Sequence, residues 1–178
     1  MKLLKLDIQL FAEEKVKRSR FASFLNTGTK ETPIWSRIGK GVATQTINYN
    51  GTTSEEFRID EDSADNDVES YAPTMDTPQT AYAGNPVFDY VDNLRIKRAI
   101  GTDAVSEVLL VYMYKPEGET GNVFVSERND CSLLIGDFGG DGGNSNVLNY
   151  TINLKGDPKH GVVTITDKKP VFTETGVA

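Results

Sequence analysis

The sequence predicts a mainly β fold, two sheets packed as a sandwich or open barrel, with one flanking α-helix. Three observations predict it. Short apolar or alternating runs recur at close spacing and end in turns rich in Gly, Pro and Asn. A single stretch, residues 85–101, carries a strong helix signal. The length of 178 residues suits one domain with a real core and extensions at its ends. The expected division is an arm over 1–33, a β domain over 34–166 with a long loop 60–85 and a helix 86–100, and a tail over 167–178.

The arm opens with MKLLKLDIQLFAEE. Asp7 and Gln9 interrupt its apolar run, which is too short to span a membrane. Leu3, Leu4, Leu6, Ile8, Leu10 and Phe11 have no evident partner, the KVKRSR run that follows is charged, and order is expected only on binding. From Ile34 to Thr53 the residues alternate in character and include β-branched side chains. Asn50-Gly51 reads as a hairpin turn, with Phe57-Arg58-Ile59 as the start of a return strand. Trp35 is expected to pack in the core.

Residues 60–85 show no regular pattern. They begin with six acids, Asp60, Glu61, Asp62, Asp65, Asp67 and Glu69, which should extend the chain and stay solvated. Tyr71 and Pro73 would anchor the far end. These acids lack the Gly and distal Glu of an EF-hand loop, which argues against calcium there.

The helix signal is local and specific. Asn85 can cap free N–H groups, and Pro86 suits the first helical position. Val87, Val91 and Leu94 make one apolar stripe, and Gly101 supplies a stop. Asp89 and Asp92 precede Arg95, Lys97 and Arg98, the order that suits the helix dipole. Ile96 and Ile100 point away from the stripe. Either they are scattered surface apolarity or a last turn under a loop, or the helix is contacted on a second side by another subunit.

Val105–Tyr114 reads as a central strand. Strands follow at Asn122–Val125, Cys131–Ile135, Val147–Lys155 and Gly161–Thr166, with turns at 115–118 and 156–158 and a glycine-rich loop at 136–146. The tail from Asp167 has little to bury.

The net charge of −7 is unevenly spread: residues 1–40 carry +5 and the remainder −12. A basic arm on an acidic body suits head-to-tail association between copies. Catalytic signals are weak. His160 is the lone histidine, no GxSxG elbow occurs, and GDFGGDGG lacks the lysine of a phosphate loop. That loop can offer Asp137, Asp141 and Asn144 to calcium, although such glycines more often serve a wide turn or bulge. Cys131, the single cysteine, excludes an internal disulfide. Neither an enzyme nor a cofactor is expected.

The run ESYAPTMDTPQTAYAGNPVFDYVDNLRIKRAIG, then EVLLVYMYK, DFGGDGG and NYTINLKGDP, resembles the major tail protein, or tail tube protein, of long non-contractile-tailed bacteriophages. The resemblance covers roughly 35–166, and KLDIQLFA is similar to the start of many phage structural proteins. It implies a tail-tube β-sandwich assembled as hexameric rings stacked into a hollow virion tube, made in the host cytoplasm. Genomic DNA would pass through without specific binding. Tail terminator, tape-measure and tail-tip proteins would be partners, with no membrane insertion. Contacts between rings would fall to Leu6, Ile8, Leu10, Phe11, Asp60, Glu61, Asp62, Asp65, Asp67, Glu69 and Tyr71, and contacts within a ring to Ile96 and Ile100. The alternative is a stand-alone receptor- or carbohydrate-binding module with Tyr71, Tyr82 and Trp35 as an aromatic platform.

Overall fold

The run Val108–Val111 is apolar at four consecutive positions, so a strand built from it must be covered on both faces. The computed structural model, which describes residues 15–57, 59, 60, 63–118 and 121–175, shows how that cover is supplied. The elements in chain order are β1 (Phe21–Asn26), β2 (Trp35–Ile38), β3 (Thr46–Asn48), β4 (Thr52–Glu56), β5 (Asp65–Ser70), β6 (Thr74–Thr80), α1 (Pro86–Lys97), β7 (Val105–Pro116), β8 (Val123–Gly139), β9 (Val147–Thr166) and β10 (Lys169–Glu174). Every described strand pair is antiparallel. The main sheet runs β2-β1-β7-β8-β9-β6-β3, with β10 also on β9, while β4 and β5 form a small second sheet. The architecture is mainly β with one helix, as the sequence predicts.

Alternation along β1 and β7 feeds two cores. Leu25, Val108 and Leu110 join Val87, Phe88 and Val91 of α1, together with Cys131, Leu133, Leu148, Tyr150 and Ile152. Ala22, Phe24, Leu109 and Val111 point the other way and meet Val163, Phe124, Ile165 and Phe172. The two long strands contribute to both. Between the pairs Arg128↔Lys159 and Asp130↔Lys155 the ladder slips, so that residues 156–158 bulge opposite Asn129. The β8 and β9 halves on either side of this bulge serve different cores. Trp35 packs against the second core, in keeping with its expected role.

Several expectations are corrected. Residues 21–26 lie within the expected arm, yet β1 is a central strand with five of its six residues buried. Ile34–Thr53 is not continuous strand: β2 and β3 are separated by residues 39–45, which run along β6 through Thr80 N–H donating to Gly41 O and a bridge between Val42 and Gln79. Asn50-Gly51 does not join a hairpin. It carries the chain from β3 in the main sheet to β4 in the small one, with Asn50 left-handed and its amide donating to Ala72 O and Thr74 Oγ1. The partner of β4 is β5, inside the stretch expected to be loop.

β6, also inside that stretch, lies between β9 and β3 in the main sheet. Its inward residues are Met75, Thr77 and Gln79, so the core face of this strand is largely polar. Each polar side chain is satisfied. Gln45 donates to Thr77, Gln79 donates to Lys40 O and Asn85 Oδ1, and the Tyr150 hydroxyl donates to Gln79 Oε1. Pro78 is tolerated because alternate residues of a strand direct their N–H groups to one side. Thr80 N–H meets Gly41 there, so the Pro78 nitrogen faces the same side, beyond the last β3 pair at Asp76.

The expected turn at 156–158 is the bulge, and the expected loop 136–146 begins as strand through Gly139. The tail also pairs. Asp167 and Lys168 both have positive φ and form a two-residue turn that returns β10 along β9. Helix α1 starts as expected, with Asn85 Oδ1 accepting from Phe88 N–H at 3.0 Å. It ends earlier than expected, at Arg98 in the left-handed conformation, and not at Gly101.

Candidate assembly surfaces

The stripe of α1 that includes Val87 and Val91 is buried, so the residues a half-turn away face outward. Ile96 is 64% exposed on the helix, whereas Ile100, 81% exposed, lies past the helix end in extended backbone, so the two do not share the helical face that the spacing predicts. Ile100 lines a groove of about 420 Å³ with Leu94, Arg98, Leu133 and Leu134. Leu134, 62% exposed, belongs to this surface and was missed in the sequence reading. The signal was available: in a strand, the second residue of the Leu133-Leu134 doublet must turn outward when the first turns in. Arg95 sits beside the groove, its guanidinium bonded to Asp92 at 2.8 Å and stacked over Phe138 at 4.3 Å.

The β4–β5 ribbon is a second surface. All of its strand residues except Ser54 are exposed, and it contributes to neither core. Asp65, Asp67 and Glu69 lie on β5, Asp60 lies in the connection, and Glu55 and Glu56 on β4 add to them. Tyr71 sits at the root of the ribbon, edge-on to Tyr49 with centroids 6.2 Å apart. The expected contact residues Leu6, Ile8, Leu10, Phe11, Glu61 and Asp62 lie outside the described residues.

A third surface was not read from the sequence because its residues are spread along it. Arg18, Arg37 and Lys40 line a cleft of about 510 Å³ between the start of β1 and residues 38–45. Among the described residues no Asp or Glu lines it. Arg18 is held by donation to Phe21 O at 2.8 Å, and Lys40 by the Tyr82 ring at 4.9 Å. Gly41 permits the wall to close, since a Cβ there would lie 2.5 Å from Thr80 O.

The remaining polar groups are structural. Glu107 is buried and accepts two bonds from Arg128, at 2.7 and 3.0 Å, and one from Asn26 at 3.2 Å. Tyr112 donates to Glu127 at 2.8 Å. Burial, then that bond, pushes its hydroxyl pKa above the usual range, and burial does the same to Tyr150. The buried Cys131 thiol is pushed up to about 12, chiefly by desolvation. Asp137 accepts from Asn149 at 2.9 Å. Among the described residues no group of three or more His, Cys, Asp or Glu is placed to hold a metal, and no helix is long and apolar enough to cross a membrane. Tyr71, Tyr82 and Trp35 form no common platform: the tyrosines flank opposite ends of β6, and Trp35 packs on the second core.

No family model and no curated protein matches the chain. Solved structures do. One is described as the tail of an empty GTA particle, obtained by helical refinement with C6 symmetry. It is 8% identical over 81% of this chain and 97% of that chain, with a TM-score of 0.57. The chain has the fold of that tail subunit. A chain of the 6-fold symmetrised anti-feeding prophage baseplate aligns at 12% identity over 84% of this chain and 96% of its own, with a TM-score of 0.45. A chain of the anti-feeding prophage cap, which terminates the tube, aligns at 14% over 86% and 93%, with a TM-score of 0.47. This tail fold agrees with the tail tube resemblance read from the sequence. Ile96, Ile100 and Leu134 are exposed on this fold, as are the described strand residues of β4 and β5 other than Ser54.

Proposed function

We propose that this protein is a tail tube subunit: six copies close a ring, rings stack into a hollow tube in the virion, and the phage genome passes through it at ejection. The fold shared with a subunit of a C6-symmetric tail carries this reading. The exposed surfaces agree with it. An exposed Ile96 on a helix that already buries its other face, with an exposed Ile100 just beyond the helix end, suits a contact between neighbours in a ring. A head-to-tail contact of this kind closes into a ring when its rotation divides a circle. An acidic protein, at −7, repels DNA phosphates and allows passage without tight binding. In this reading Ile96, Ile100 and Leu134 meet the neighbour within the ring. The 60–71 acids, Tyr71 and the arm residues Leu6, Ile8, Leu10 and Phe11 meet the next ring. Tail terminator, tape-measure and tail-tip proteins bind along the tube or at its ends.

The test is substitution just beyond the helix. Ile100→Asp should leave the melting temperature within a few degrees of wild type, because the side chain is exposed, while the protein stays small in sedimentation velocity under conditions where wild type pellets as tubes. Tubes of normal yield and length from this variant would remove the residue from the ring contact.

A further inference from the structure

The cations of the cleft take no part in either core or in the assembly contacts described above. Arg18 comes from the turn before β1, Arg37 from the edge strand β2 and Lys40 from the segment that runs along β6. Folding brings these like charges together, and they repel one another. Among the described residues no Asp or Glu lines the cleft and none of the three cations is in an ion pair. Such a cluster costs free energy until an anion sits between its members. Arg18 gives one N–H to Phe21 O, keeps its other N–H groups and stacks over the Phe21 ring at 5.1 Å. Lys40 rests over the Tyr82 ring at 4.9 Å. Both are held before any ligand arrives, so little side-chain freedom is lost on binding.

We infer that this cleft binds a small phosphate ester, with the phosphate held by Arg18, Arg37 and Lys40. Phosphate suits the three cations better than a single carboxylate does. Its extra charge and its several acceptor oxygens engage more than one cation at once, and arginine meets it with two parallel N–H bonds. The cleft is larger than the anion. At about 510 Å³ it falls within the range of about 300–1,000 Å³ usual for small-molecule sites. Buried Ile38 and half-buried Phe21 and Val42 line it beside Ser19 and Thr44. A ligand body with an apolar face and polar edges, such as a nucleoside, fits that lining. A long polyanion is disfavoured. The chain carries −7 overall, so a nucleic-acid strand leaving the cleft would meet a protein of its own sign. The assignment does not depend on the tail tube reading, since the whole cleft lies within one chain.

Isothermal titration calorimetry in phosphate-free buffer tests this, with inorganic phosphate, ADP and a short single-stranded DNA as probes. ADP should bind at one site per chain, and more tightly than inorganic phosphate. A double variant, Arg37→Ser with Lys40→Ser, should weaken ADP binding about tenfold or more, the scale of a lost charge-assisted hydrogen bond. Both side chains are exposed, so this variant should melt near wild type. A control, Lys155→Ser with Lys159→Ser, removes the same charge from exposed positions on β9, three strands from β1 in the sheet. It should bind ADP as wild type does. The inference is overturned if wild type does not bind ADP, if the cleft variant binds it unchanged, if both double variants lose it equally, or if the DNA binds more tightly than ADP.

Discussion

At the scale of residues, what the sequence shows depends on whether a side chain acts on its neighbours along the chain or across the fold. Asn85 and Pro86 act locally, and the helix begins where they place it. The outward direction of Ile96 follows from helical spacing, whereas Ile100 lies beyond the helix in extended backbone. Gly101 was the expected stop, but Arg98 takes the left-handed conformation first, its N–H bonding Arg95 O and the next N–H bonding Leu94 O. Glu107 joins Asn26 and Arg128 from strands far apart in sequence, and no local pattern announces that network.

Long-range burial also sets the response to pH. Cys131, Tyr112 and Tyr150 all have pKa values raised in the folded state. Such groups keep their protons when folded, whereas the unfolded chain releases them above the ordinary thiol and phenol values. Stability is thus full below about pH 8.5 and falls as pH rises towards 12. Cys131 alone should cost about 2 kcal/mol between pH 9 and 10.5. Urea unfolding at pH 8 and 10.5 should show a lower midpoint at the higher pH, with a smaller drop in Cys131→Ala. Equal midpoints at both values would refute the assignment.

At the scale of elements, strands with apolar contrast are the legible ones. β7 was read from its strongly apolar run, and the start of β9 was read as strand over Val147–Lys155. β5 was missed because all its residues are exposed, and β6 because Thr77 and Gln79 fill core positions through hydrogen bonds. β1 was hidden behind the basic run that precedes it, although Phe21, Phe24 and Leu25 ahead of an Asn-Thr-Gly turn were a usable signal. β10 was hidden because its turn, Asp167-Lys168, has the left-handed geometry without a glycine. Its docking can be tested at Gly161. A Cβ there would meet Thr173 O of the paired strand and the Phe172 ring. Because backbone, and not only a flexible side chain, stands in the way, Gly161→Ala should lose about 1–3 kcal/mol, typical of overpacking. Thermal melting would register this as a clear drop. An unchanged melting temperature would mean that β10 does not pack there as described.

At the scale of the whole molecule, the class of fold was legible and its wiring was not. One helix among many short strands pointed to a flanked β-sandwich, and the order of motifs resembled tail tube proteins. The strand order, the second core and the bulge that lets β8 and β9 serve two layers depend on pairings between distant segments. The candidate surfaces divide in the same way. The acids of the ribbon and the pair Ile96 and Ile100 were visible as local clusters. The cleft was not, because folding alone brings Arg18 together with Arg37 and Lys40. With a ribbon outside both cores and apolar residues on two exposed elements, the subunit presents surface that other copies can cover. The most direct measurement is electron cryomicroscopy of the concentrated wild-type protein, with and without a tail-tip complex as initiator. Hollow tubes whose end views show six subunits are the expected result, while single copies under both conditions would contradict the account.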